Sequence, residues 1–235
     1  MFVELLWISI IFIIFLNLHR RIKLKNSQDY KQLSIKEFTK AAQKYESDQA
    51  GIYKICRHDY VPILEELQKQ PFTTLLDAGC GTAPMVSLLS QRFPNVQYTG
   101  LDLTPEMINQ AKLKNIPNAQ FIVGDCENMP FQENSFDVII NSQSFHHYPN
   151  PQAFFNCVAK VLKPGGKLIL RDITCPFYFL WFANFVELPL VNLCGYGDYQ
   201  AHSIKQVKEY CAKAGLKIDI IEQQPYFRLH LVAFK

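Results

Sequence analysis

The residues whose types and spacing could do chemistry are three carboxylates, a pair of glycines and a pair of histidines. Asp77-Ala78-Gly79-Cys80-Gly81 closes one apolar run, Asp102 closes a second, Asp125 follows a third, and His146-His147 follow a fourth. Gly-x-Gly at the end of a buried strand lets backbone come close to a ligand, and the helix behind it turns its free N–H groups towards that ligand. A carboxylate at the end of the next strand is placed to accept both hydroxyls of a ribose. The histidines are the candidate proton-transfer groups, because an imidazole titrates near neutral pH. Adjacent histidines in an extended segment point opposite ways, which argues against joint metal binding, and no metal is expected.

The elements that must position these groups alternate. Thr74 to Ala78 reads as a buried strand and Met85 to Arg92 as the helix behind it. Val96 to Leu101 reads as a second strand ending in Asp102, and the next helix opens at Thr104-Pro105, Thr as N-cap and Pro at the first position. Ala119 to Val123, Phe136 to Asn141 and Leu168 to Leu170 read as three further strands, with a helix near Pro151 to Leu162. Ser203 caps a helix that Gly215 ends, and Leu216 to Ile221 and Tyr226 to Phe234 complete the pattern. Upstream, Ser34-Ile35-Lys36-Glu37 has the form of a capping box opening a helix, and a second helix over about Ile52 to Lys69 is interrupted by Pro62.

The glycine turn admits two readings. A dinucleotide fingerprint wants a third glycine where this chain has Pro84, and Asp77 stands two residues before the first glycine. LLDAGCGT resembles instead the first motif of class I S-adenosylmethionine-dependent methyltransferases, and GDCENMPF, SFDVIINSQSFHHYPNP and LKPGGKLILRD follow in that family's order and style, closest to its type 11 group. The resemblance runs from about Phe38 to Lys235, and its middle motifs are similar to those of quinone-pathway methyltransferases. It implies S-adenosylmethionine as cofactor, with Asp77, Gly79 and Gly81 at the methionine end and Asp102 on the ribose. Met107 would then pack on adenine, Asp125 accept from the adenine amino group, Cys126 offer backbone, and the Asn141 backbone meet the methionine amine. His146 is the candidate base or pocket residue.

Nearly half of the 235 residues are apolar, which excludes a disordered chain, and a net charge of +3 is too mild to argue for nucleic acid. The seven cysteines form no C-x-x-C pair, so neither zinc nor a disulfide framework is expected. Met1 to Leu18 is apolar almost throughout, and His19, Arg20, Arg21, Lys23 and Lys25 follow at once. That pattern reads as a single-pass transmembrane helix with the globular part facing the cytoplasm, the alternative being a helix that lies in the interface or packs on the domain. Pro176 to Tyr199 is densely aromatic; in the family an insertion here commonly roofs the acceptor pocket.

The expected architecture is an α/β, Rossmann-like, doubly wound, seven-stranded and mostly parallel sheet with an antiparallel last strand. Residues 1–20 form the anchor, 21–33 a basic and polar linker, and 34–235 the methyltransferase domain, with 173–200 as an aromatic cap insertion. The expected function is methyl transfer to a small, hydrophobic acceptor such as a quinone, sterol or lipid precursor. The alternatives are a non-catalytic methyltransferase-like module that holds cofactor or a partner at the membrane, and a nicotinamide-dependent oxidoreductase, which Pro84 and Asp77 disfavour. The oligomeric state is not legible.

Overall fold

A computed structural model describes residues 27–47, 54 and 56–235. Its spine is a sheet of seven strands in the order β3-β2-β1-β4-β5-β7-β6. These are β1 (Thr74–Ala78), β2 (Gln97–Asp102), β3 (Ala119–Val123), β4 (Phe136–Ser142), β5 (Leu162–Ile173), β6 (Lys217–Gln224) and β7 (Arg228–Phe234). β1 pairs in parallel with β2 and with β4, β2 with β3, and β4 with β5. β7 runs antiparallel to both β5 and β6. The expected mixed sheet with an antiparallel last strand is therefore the one observed.

Alternation along the strands divides the core. Leu76, Ala78 and Ile139 pack with Phe154, Phe155, Val158 and Val207 on one face. Leu75, Val138 and Ile140 pack with Ile63, Val86, Leu89 and Ile108 on the other. Central strands covered on both faces favour apolar residues at successive positions, which is why Leu75-Leu76 and Val138-Ile139-Ile140 read as runs. The covering helices are α1 (Ser27–Ala41), α2 (Tyr60–Leu67), α3 (Pro84–Arg92), α4 (Pro105–Leu113), α5 (Pro151–Val161), α6 (Phe177–Phe182), α7 (Leu188–Leu193) and α8 (Ile204–Ala214). Ser203 closes a full capping box on α8, and Gly215 ends it in the left-handed conformation.

Two local readings change. The helix does not open at Ser34: Ser34 is buried inside α1 (Ser27–Ala41), and its hydroxyl donates to the Gly197 carbonyl at 3.1 Å instead of capping. The residues after Ser142 are not extended: Phe145–His147 form a 3-10 turn, which brings the two histidine rings to 4.2 Å between centroids. The premise that adjacent side chains point apart therefore fails here.

The localisation must also be corrected. No helix among the described residues is long and apolar enough to cross a membrane. Met1–Arg20, on which the expectation of a membrane anchor and a single-pass, cytoplasm-facing protein rested, lies outside the described residues. A single-pass topology is thus not supported.

Candidate cofactor and acceptor site

The sheet places its functional groups at the carboxyl ends of its parallel strands. β1 ends in a turn whose Gly79 and Gly81 have φ of +82° and +54°, in the left-handed region that glycine adopts without strain. Gly79 has no room for a side chain, since an added Cβ would stand 2.1 Å from Ser144 Oγ. The Gly79 and Cys80 amides donate to the Leu101 carbonyl at 2.7 and 3.0 Å, which binds the turn to β2. The carboxylate of Asp102, at the end of β2, accepts from the Gly81 amide at 2.8 Å and the Thr104 amide at 2.9 Å. Those bonds fix the carboxylate and leave each oxygen a further lone pair.

A cleft opens over this turn, walled by Asp77, Gly79, Gly81, Asp102, Met107, Ser144, Phe38 and Tyr45. A second, walled by Asp102, Asp125, Cys126, Tyr148 and Lys31, shares Gly79, Ser144, Phe38 and His147 with the first. Asp77 is 3% exposed, and burial, with the nearby Asp102 charge, pushes its carboxyl up to about 7. Burial also raises Asp102, against the amides that stabilise its ionised form. Burial pushes the Cys126 thiol up as well, so it is no nucleophile.

The nucleoside-binding residues expected from sequence thus converge, with two differences. Asn141 is fully buried and lines neither cleft; its amide donates to the Ala78 carbonyl at 2.6 Å and the Tyr148 hydroxyl at 3.0 Å, tying β4 to β1. Asp125 lines the second cleft, yet one of its oxygens takes Lys31 Nζ at 2.6 Å and the other the Glu127 amide at 2.8 Å. Lys31 also pairs with Glu127. Sequence reasoning missed Lys31, Ser144 and Asp198, because long-range contacts leave no local pattern. Asp172 had a signal, being a carboxylate at the carboxyl end of a central strand.

Beyond the glycine turn lies a larger cavity of about 310 Å³. Its walls include Phe38, Tyr45, Ile173, Val191 and Tyr196, with Glu37, Gln143, His146, His147, Asp198 and Arg228 as polar members. The carboxylate of Asp172 faces His146 Nδ1 at 2.8 Å, and Asp198 Oδ1 lies 3.4 Å from His146 Nε2 and 3.4 Å from His147 Nδ1. Burial works against a charged His146, but the carboxylates of Asp172 and Asp198 overcome it and hold its pKa well above the usual histidine range. At neutral pH His146 therefore keeps its proton, which does not suit a general base. Burial and the charge on His146 push His147 well below that range, so it is neutral.

Residues 76–170 match the family model described as a methyltransferase domain. Over that stretch the chain is similar to S-adenosylmethionine-dependent methyltransferases of the type 11 group. It is 34% identical over 151 residues to a fatty-acid O-methyltransferase of Mycolicibacterium smegmatis, covering 63% of this chain and 54% of that one. It is 39% identical over 100 residues to a phthiotriol/phenolphthiotriol dimycocerosates methyltransferase of Mycobacterium leprae, covering 42% of this chain and 37% of that one. The chain thus spans about half the length of the first relative and less of the second. A solved S-adenosylmethionine-dependent methyltransferase from Aquifex aeolicus superposes with a TM-score of 0.58 at 20% identity, covering 74% of this chain and 88% of that one, a likeness of fold.

S-adenosylmethionine is the cofactor of this domain family, and the residues present fit it. The Gly81 position is open towards the cleft, where an added Cβ would meet only Tyr45 at 3.8 Å. The carboxylates along the clefts are acceptors suited to a ligand that carries hydroxyls, an amino group and an amine.

Proposed function

We propose that the chain transfers a methyl group from S-adenosylmethionine to a lipid-like acceptor with a polar head and an apolar body. The observation that carries this reading is the cavity beside the glycine turn, apolar along Phe38, Ile173, Val191 and Tyr196 and polar at His146, His147 and Asp198. The aromatic segment of residues 173–200 forms part of its roof through Val191 and Tyr196, while Tyr178 and Trp181 are 66% and 47% exposed. Apolar surface of that extent suits an acceptor with long apolar parts. Relatives named for fatty-acid and phthiotriol substrates agree with that class.

The cofactor supplies an electrophilic methyl group on a sulfonium centre. In this reading Gly79 and Gly81 let it approach, Asp77 faces its methionine end and Asp102 takes the ribose hydroxyls. Met107 and Cys126 border the adenine. Lys31 holds Asp125 in place for the adenine amino group and seats α1 over the site. Phe38 and Tyr45 exclude water between the two ligands. The chain's contribution is then positioning and exclusion of water, which can supply a large share of the acceleration in a displacement of this kind.

The test is calorimetric titration of the full chain with S-adenosylmethionine, S-adenosylhomocysteine and NAD, beside Asp102→Ala. Transfer of labelled methyl to long-chain fatty acids and alcohols follows. The expected result is binding of both sulfur nucleosides and not of NAD, weakened at least about tenfold in the variant, and label in a long-chain product. A folded chain that binds neither sulfur nucleoside refutes the reading. Binding without transfer to any lipid leaves a cofactor-binding module and refutes the enzymatic part.

A further inference from the structure

We propose that His146, His147 and Asp198 form a binding site for a divalent transition-metal ion at the polar end of the acceptor cavity. One ring nitrogen each of His146 and His147 and a carboxylate oxygen of Asp198 lie within 4.8 Å of one another. His146 Nε2 and His147 Nδ1 each stand 3.4 Å from Asp198 Oδ1. An ion with bonds of about 2.0–2.2 Å in tetrahedral geometry sets its ligand atoms about 3.3–3.5 Å apart, so two of the three edges are already at a zinc-like spacing. Two imidazoles and one carboxylate suit zinc, cobalt, iron or nickel better than calcium or magnesium, which prefer oxygen.

The surroundings have the features of a supported site. The carboxylate of Asp172, 1% exposed, faces His146 Nδ1 at 2.8 Å and its other oxygen accepts the His146 amide at 3.2 Å. Metal binding would displace the proton that His146 otherwise carries on Nε2, while the Asp172 carboxylate keeps the other proton on Nδ1, an arrangement common at metal-binding histidines. The loop bearing Asp198 is held from several sides. The His146 carbonyl accepts the amides of Tyr199 and Gln200 at 2.9 and 3.0 Å, and Asn192 donates to the Asp198 carbonyl at 2.8 Å. Glu37 accepts the Gly197 amide at 2.8 Å. His147 Nδ1 is buried without a hydrogen-bond partner, a cost that coordination would remove. Arg228, the cation on the same cavity wall, has its Nε 4.0 Å from the Asp59 oxygen that also takes Arg171 at 3.0 Å.

Three protein ligands leave an open position, and all three residues line the cavity. A ligand oxygen, a hydroxyl or carboxylate at the head of the acceptor, would complete the coordination; this consequence alone rests on the proposed methyl transfer. The metal site itself stands without it.

The experiment is titration of the metal-free full chain with cobalt(II), read by its visible ligand-field absorption, followed by displacement with zinc. The expected result is one equivalent bound with bands typical of nitrogen and oxygen ligands. His147→Gln and Asp198→Asn should each lose at least tenfold in affinity, and Asp172→Asn 10- to 100-fold, with far-UV circular dichroism unchanged. A folded chain that takes up no cobalt or zinc overturns the proposal. So does uptake marked by thiolate charge-transfer absorption and indifferent to these substitutions, which would assign the metal to cysteines. Both readouts are independent of cofactor and acceptor, so absence of methyl transfer does not bear on them.

Discussion

Replacing Asp77 with Asn should stabilise the cofactor-free protein while weakening its hold on S-adenosylmethionine. The carboxyl of Asp77 is 3% exposed, and burial together with the Asp102 charge moves its pKa from 3.8 to about 7. Each unit of difference between folded and unfolded states is about 1.4 kcal/mol, so a rise of about three units is about 4 kcal/mol. The sign follows from proton binding. The folded state holds this proton more tightly than the unfolded state, so stability is greatest below pH 4 and is lost as pH rises from about 4 to about 7. Above pH 7 the whole penalty is present, and Asn, which has no charge to bury, avoids it. Set against a typical domain stability of about 5–15 kcal/mol, that is a large term. Urea unfolding of the full chain, without cofactor, should show Asp77→Asn more stable than the parent by about 2–4 kcal/mol at pH 8 and by no more than about 1 kcal/mol at pH 4.5. Calorimetry at pH 8 should show the same variant binding S-adenosylmethionine more weakly. A variant no more stable at pH 8, or equally favoured at both pH values, would refute the view that Asp77 is a carboxylate held in a costly place for its ligand.

Two further outcomes test the frame around the site. Gly79→Ala puts a methyl 2.1 Å from Ser144 Oγ at a φ of +82°, so it should cost about 2–4 kcal/mol and abolish cofactor binding. Gly215→Ala, at +75° with nothing within 4 Å, should cost only about 1 kcal/mol; equal losses in thermal unfolding would refute the steric argument. At the opposite end of the sheet, burial works against ionised Asp137, but Lys163, Thr73 and Thr74 donate to it and hold its carboxyl well below the usual range. Its contribution is fully present above about pH 4 and is lost progressively below that, as pH falls towards the depressed folded-state value, so Asp137→Asn should cost about 1–3 kcal/mol at pH 7 and progressively less below pH 4. A cost that stays constant over that range would show that the charge is not what matters.

The local pattern settled most of the sheet. Central strands buried on both faces favour apolar residues at successive positions, so Leu75-Leu76 in β1 and Val138-Ile139-Ile140 in β4 stand out as runs. The glycines of the turn are demanded by backbone geometry, and Asp102 by its place at a strand end; these are facts of sequence position. The same logic explains Ser203 and Gly215, whose roles are met within a few residues. Position alone placed Asn141 at the correct strand end, but not its side chain, which the packing of β4 on β1 turned inward.

What the tertiary structure decided is the company each group keeps. Lys31 meets Asp125 across 94 residues, and Ser34, which reads locally as a helix cap, is used by Gly197 across 163. His146 reads as a base until Asp172 and Asp198 are beside it, when it becomes a group that keeps its proton. The charge state of a buried group depends on neighbours that only folding supplies, and no periodicity in the chain records them. The 3-10 turn at residues 145–147 is decided in the same way, by bonds from β5 and from the loop after α7, and it brings together two rings that an extended chain would have parted.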